Sequence, residues 1–322
     1  MAKVNQKDTI DYDSIVVREP SVFERMWQYR YFYLMFIPVA LVLFIFFYWP
    51  MLGVRYAFST YKLKQITLRL GPDYSTGLGN FKRLFGADPF IGALRNTLVL
   101  SIVNLILATV LTVVIALLLN ELQHQWSKKI VQTVLYLPHF LSWVTVAGML
   151  RDILGMDGIV NMFLQKVFGM DPIFFLGNAG MFRQIVVISD LWKGFGFGMI
   201  VYLAAISNID QSLYEAAQID GAGRWKQTLY VTIPCILPMV IVMATLSLGN
   251  VLNAGFDQIF NLYSPLTYST GDIIDTYVYR QSLVNGQYSF GTAVGLFKSG
   301  VSLFLTAVAY KLAYKFAGYR IF

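Results

Sequence analysis

Residues 208–234 read NIDQSLYEAAQIDGAGRWKQTLYVTIP, and this stretch decides how the chain folds. It is polar, yet a long apolar run lies on either side, so it joins two membrane-crossing segments. Asp210 is a good N-cap for a short helix through Gln218, because its carboxylate can accept the orphan backbone N–H groups of the first turn. Ala216 and Ala217 leave one surface of that helix nearly flat. Gly221 and Gly223 stand where the helix stops and the chain bends back. A second helical stretch, residues 224–232, is expected to run into Pro234, where the next apolar run starts. A helix, a bend and a helix between two spans form a docking surface rather than a connector.

The rest of the composition agrees with a membrane setting. Of 322 residues, 57% are hydrophobic and 13% charged, and the mean hydropathy is +0.57. The net charge is +7, but the basic residues flank apolar runs instead of forming one patch, which argues against nucleic acid as a partner. The single Cys235 excludes an internal disulfide and a cysteine-based metal site. His124 and His139 are too few for an imidazole site, so no metal is expected. The first 30 residues mix Asp8, Asp11, Asp13 and Glu19 with Lys3, Lys7, Arg18 and Arg25 around no apolar centre. No cleavable signal peptide is expected, and the first apolar run should stay as an anchor. No G-x-x-x-x-G-K-[ST] pattern occurs; Gly295-Leu296-Phe297-Lys298-Ser299 lacks the glycine before its lysine. The chain is therefore not expected to bind ATP or another cofactor, nor to be an enzyme.

A helix needs about 20 apolar residues to cross a bilayer. Six runs qualify: 34–54, 96–120, 130–150, 184–206, 233–256 and 290–310. Before the first, residues 23–31 are aromatic and basic, as suits a helix lying at the membrane surface. Residues 1–30 are thus an N-terminal segment with an interfacial helix, and residues 31–322 a six-span domain containing the loop 208–234. Residues 56–89, 151–183 and 257–289 are expected to be loops, with a short helix at 161–168, and 311–322 a basic tail. Six spans place both termini on one face. That face carries Lys3, Lys7, Arg18, Arg25, Arg30, Lys128, Lys129, Arg224, Lys226, Lys311, Lys315 and Arg320. The bias toward a cytoplasmic location for it is modest, because the opposite face has Lys62, Lys64, Arg69, Lys82 and Arg83 in one loop.

Glu215-Ala216-Ala217, then Gly221, Val231, Ile233 and Pro234 resemble the EAA loop of ABC importer permeases, whose pattern is EAA, three residues, G, nine residues, I, one residue, LP. The departures are Val231 for Ile and Ile233 for Leu. The resemblance, spanning about residues 25–320, implies an all-α polytopic protein of six transmembrane helices with the type I ABC importer permease fold. It implies that Leu213, Tyr214, Glu215, Ala216, Ala217, Asp220 and Gly221 dock on a separate ATPase, which holds ATP and Mg. Both termini would be cytoplasmic, in a bacterial inner membrane. The further partners implied are a homologous second permease chain, a second ATPase copy, an extracellular or periplasmic substrate-binding protein, and membrane lipid.

Ionisable groups within spans are costly and mark function or pairing. Asp190 and Lys193 are three apart and share a helical face. One reading pairs them with each other; the other has them line a water-filled path. Gly194, Gly196 and Gly198 follow, loosening the helix or admitting a close neighbour. In span three, His139 and Trp143 are four apart, on one face of a single helix. His139 is either a packed, hydrogen-bonded residue or a path residue. Asn250 and Asn253, near the end of span five, with Asp257 beyond, serve either as interhelical bonds or as cargo contacts. Trp192-Lys193-Gly194-Phe195 is similar to a Trp-x-Gly-aromatic element of maltose-type permeases, in which the surrounding positions face sugar. That similarity implicates Asp190, Lys193 and Gly194 in oligosaccharide contact, with relatives carrying maltose, glycerol phosphate, or alginate and pectin fragments. Lys193 would then attract an acidic, uronic-acid-containing cargo, unless Asp190 neutralises it. Two other classes remain open on the residues alone: an ion-coupled secondary transporter using Asp190, and a polytopic membrane enzyme, for which no nucleophile–base set is seen.

Overall fold

The computed structural model of the chain describes residues 21–59 and 77–317. The expected N-terminal segment up to residue 20, the middle of the loop expected at 56–89 and the last five residues of the basic tail lie outside the described residues. Among the described residues every regular element is helical. The chain divides into two compact units, one ending at Val54 and the other starting at Arg55.

In the first unit, α1 (Val22–Gln28) opens with a capping box, Ser21 accepting from the Glu24 N–H while the Glu24 carboxylate accepts from Ser21. Its side chains Phe23 and Trp27 are exposed. α2 follows as an apolar helix, Arg30–Phe58, whose end passes into the second unit. It contains Pro38, and a wider π turn at Phe44–Tyr48 lies just before Pro50, where it absorbs the bond that this proline cannot make.

The second unit is built on two long helices. After α3 (Gly79–Phe85), α4 (Asp88–Asn120) runs for 33 residues. It starts eight residues earlier than the apolar run predicted, because Pro89 falls in the first turn, where its fixed φ favours a helix and its missing N–H costs nothing. α8 (Ala179–Ser207), begun by Asn178 capping the Gly180 N–H at 2.8 Å, packs along α4. Between them lie α5 (Gln125–Tyr136), α6 (Trp143–Leu154) and α7 (Ile159–Phe168).

Span three is not the straight helix predicted for 130–150. A tight turn at Leu137–Phe140 ends α5, Leu141 is extended, and Ser142 caps α6 by accepting from the Thr145 N–H. The segments Gln125–Phe140 and Trp143–Phe168 meet at 98°. Pro138 supplies the reason: it has no N–H for the helical ladder and its ring disfavours a continued helix. α7 is the expected short helix, starting two residues early, and Asn161 ties it down by bonds to Gly155 and to both backbone groups of Ile173.

After α9 (Gln211–Ile219), the second stretch of the loop and span five fuse into one helix, α10 (Arg224–Gly249). A π turn at Thr228–Thr232 lies just before Pro234 and absorbs the bond the proline cannot make. The span ends at Gly249, not near residue 256. The region expected to be a polar loop, 257–289, holds α11 (Phe256–Leu262) and α12 (Ile274–Val278) and is substantially buried. α13 (Tyr288–Ala317) completes the bundle.

Three buried groups hold this unit. Phe90, Leu252, Ile274 and Val294 belong to one, Leu100, Phe182 and Ile259 to a second, and Ala116, Met199 and Ile236 to a third. α4 contributes to all three, so it is the spine of the domain. Where α8 crosses α5, a Cβ on Gly196 would run into the Leu135 carbonyl, so only glycine allows the approach. Gly194 has open space around it. The expectation of close approach therefore holds at Gly196 and not at Gly194.

Candidate functional site: docking helix and polar cleft

At one end of the second unit, α9 stands out from the bundle. Its N-cap is Asp210, whose carboxylate accepts from the Ser212 N–H at 2.9 Å and is held below the ordinary carboxylate pKa by that bond. Its C-terminus is closed by two bonds, Gly221 N–H to the Gln218 carbonyl and Ala222 N–H to the Ala217 carbonyl, at 3.0 and 2.8 Å. This is a Schellman closure, which needs a left-handed residue; Gly221 has φ +75°. Tyr214 bonds Thr232 at 2.9 Å, fixing α9 to the base of α10. Leu213, Glu215, Ala216 and Asp220 are exposed, as is Ile219 at 87%. Ile219 escaped the sequence reading; a lone isoleucine at the end of a polar helix is its only signal.

Midway along the unit, a cleft of about 360 Å³ opens between α4, α8 and the Ser247–Gln258 segment. Asp190, Asn250 and Asn253 line it together, as do Ser101, Asn104, Ser247 and Gln258. Asn104 donates its amide to the Asp190 carboxylate. Gln258 is buried and donates to the Val186 carbonyl at 2.7 Å and to Ser189 Oγ at 2.9 Å. Asn104 Oδ1 and Ser101 Oγ are buried in the cleft wall, closed off from solvent and without a hydrogen-bond partner. Asn104 was missed, although an amide inside an uncharged apolar run is itself a signal.

The other predicted path residues lie elsewhere. Lys193 makes no ion pair with Asp190. Its Nζ donates to the His139 carbonyl at 2.8 Å and lies 5.3 Å from the centre of the Trp143 ring. The structure therefore replaces the mutual pairing with Asn104 on one side and the break of span three on the other. His139 and Trp143 do not share a helical face, because the break separates them. They meet at Lys193 instead, and the His139 ring stacks on Phe197 at 4.2 Å. Gly194 and Asp257 are exposed and outside the cleft lining. Asn253 donates to the Asn250 side chain at 3.3 Å.

At the end away from α9, a polar network pins the 263–287 segment. Arg183 bonds the Asn96 side chain and the Thr270 carbonyl, and Asn96 bonds the Ser269 and Asp272 carbonyls. Asp272 receives both ends of the Arg280 guanidinium. Lys298, inside α13, pairs with Asp275 at 2.5 Å.

Residues 108–316 match the model of the family described as "Binding-protein-dependent transport system inner membrane component". The chain belongs to this family. Its relatives include the polygalacturonan/rhamnogalacturonan transport system permease protein YteP of Bacillus subtilis (strain 168), 40% identical over 292 residues that cover 91% of this chain and 90% of that one. Among solved structures, a bacterial ABC transporter involved in the import of the acidic polysaccharide alginate has a chain that aligns with a TM-score of 0.83 at 38% identity, covering 91% of this chain and 98% of its own. A second structure of a bacterial alginate ABC transporter, in complex with an alginate pentasaccharide-bound periplasmic protein, aligns equally well at 37% identity. The inner-membrane family and the permease fold agree with the apolar spans of this chain. The broken span three and the short helix α9 are thus features of a transport component.

Proposed function

We propose that this chain is one of two permease chains of an ABC importer that moves oligosaccharides across the cytoplasmic membrane. The observation that carries the reading is α9: a rigidly capped, exposed helix with Leu213, Ala216 and Ile219 uncovered, tied at Tyr214 to the base of a spanning helix. Such an element transmits a push from a partner into the bundle. The partner is an ATPase that carries ATP and Mg, and this chain does no hydrolysis. Two ATPase copies, a homologous permease chain and a substrate-binding protein outside the membrane complete the machine, with both termini of this chain cytoplasmic. The relatives and structural neighbours named above support this reading, and none of them is described as an ion-coupled carrier.

The cleft supports contact with sugar hydroxyls through Asp190, Asn250 and Asn253. The cation expected to draw acidic cargo, Lys193, is committed to the His139 carbonyl, outside the cleft lining. On this chain a uronic acid oligosaccharide is therefore read by its hydroxyls. The polygalacturonan and alginate systems to which the chain is similar make acidic oligosaccharides the cargo of choice.

The test is reconstitution of the importer in liposomes with its ATPase and binding protein. Glu215→Lys on the docking helix is expected to abolish transport while ATP hydrolysis loses its dependence on the loaded binding protein. Wild-type transport by this variant would overturn the docking role.

A further inference from the structure

Gln258, in the first turn of α11, is buried, with 1% of its surface exposed. α11 lies against the N-terminal half of α8, where Ile259 packs in one group with Phe182, Val186 and Val187. An apolar side chain would fill such a seat without the cost of burying an amide. What the amide adds is direction. Its nitrogen donates to the Val186 carbonyl at 2.7 Å and to Ser189 Oγ at 2.9 Å. Neither group can donate back. The carbonyl has no proton, and the serine hydroxyl gives its one proton to the Ile185 and Val186 carbonyls, at 2.6 and 3.1 Å. The amide is therefore fixed in one orientation. At the other end of α11, Arg151 from α6 bonds the Asn261 carbonyl, so the helix that carries Gln258 is itself anchored.

The Val186 carbonyl is also the acceptor that an α-helix provides for the N–H of Asp190, four residues on. Gln258 thus holds the backbone turn that presents Asp190, while Asn104 holds its carboxylate from α4. The three walls of the polar cleft, α4, α8 and the Ser247–Gln258 segment, meet at this acid. We propose, resting on the reading of the cleft as the cargo path, that Gln258 is a positioning residue for cargo selection. It sets the direction in which Asp190 offers its carboxylate to a sugar hydroxyl. The buried amide does not touch cargo; it acts through Asp190.

The test is uptake of tetragalacturonate and of its O-acetylated form by the importer reconstituted with its ATPase and binding protein. Acetylation removes hydroxyl donors and leaves the carboxylates, so the ratio of the two rates reads hydroxyl recognition. The binding protein's own preference is the same throughout, and loss of folded importer lowers both rates alike, so neither moves the ratio between variants. Asp190→Leu is expected to reduce the preference for the free form about tenfold, the effect of one hydrogen bond to a charged acceptor. Gln258→Met, which keeps the volume and removes both donors, should reduce it about fivefold. Gln258→Glu should reduce it at least as much, because a carboxylate would face the Val186 carbonyl. Gln258→Met added to Asp190→Leu should change the ratio no further. Asn161→Ala, which cuts the ties of α7 outside the cleft lining, should lower the thermal midpoint and keep the wild-type ratio. A wild-type ratio in Gln258→Met would overturn the positioning role and leave the cleft reading intact. So would a Gln258→Met effect that persists in full beside Asp190→Leu. A wild-type ratio in Asp190→Leu would overturn the cleft reading and the positioning role with it.

Discussion

Lys193 Nζ donates to the main-chain carbonyl of His139 at 2.8 Å across the break in span three. The contact joins α8 to the open end of the turn that follows α5, where a carbonyl has no helical partner. The lysine therefore caps a broken helix at membrane depth, and Trp143 screens the ammonium from the other side. Removing it by Lys193→Met should leave the carbonyl unpaired and destabilise the purified chain by about 1–3 kcal/mol, read as a lower thermal midpoint. Adding Asp190→Leu should not restore stability, because the two side chains are not paired. Recovery in the double variant would show that they are.

Asn104 and Asp190 should behave as one unit. The Asn104 amide is the side-chain donor to the Asp190 carboxylate, and hydrogen bonds to charged groups contribute about 1.5–3 kcal/mol. Asn104→Leu is expected to cut transport as deeply as Asp190→Leu, and the double variant to be no worse than either alone, the mark of strongly coupled sites. Initial uptake rates by reconstituted importer measure this. Additive losses would mean that the two residues act separately.

Gly221 occupies a left-handed position that other residues adopt at a cost of about 1–2 kcal/mol. Its surroundings are open, so the penalty of Gly221→Val is purely conformational. Pull-down of the ATPase by this variant should weaken about tenfold, near the middle of that range. Gly221→Asn should weaken it less, since asparagine tolerates this conformation better. Equal weakening by both would point to steric contact instead.

Lys298 and Asp275 form an ion pair within the bundle. Lys311 lies about 20 Å further along α13, less than the ~30 Å of hydrocarbon. With Lys311 at the boundary, Lys298 is inside. Lys298→Met should therefore cost about 3–5 kcal/mol by leaving Asp275 unpaired, while Lys298→Met with Asp275→Leu should regain most of it. Denaturation of the purified chain measures both; a single variant as stable as the wild type would make the pair a surface contact.

What the sequence determined by itself is whatever depends on local chemistry and on long apolar runs. The spans around 96–120, 184–206 and 290–310, the Asp210 cap and the turn at Gly221 all follow from residues near one another in the chain. So does the EAA-like pattern. Tertiary structure decided the rest, because the rest depends on which backbone groups are left unpaired and what reaches them. Pro138 signals a weak point in span three, but a proline inside a span is compatible with either a kink or a full break. Only Ser142 capping a new helix, and Lys193 arriving from another span, settle it as a break. Helical spacing places Asp190 and Lys193 on one face, yet their partners come from α4 and the span-three turn, at sequence distances no periodicity reports. The polar run 257–289 has the composition of a loop, but Asp272, Thr276 and Arg280 satisfy one another, and Asn96 and Arg183 satisfy its carbonyls. A polar segment can be buried once its hydrogen bonds are met from within the protein, and composition alone carries no record of that.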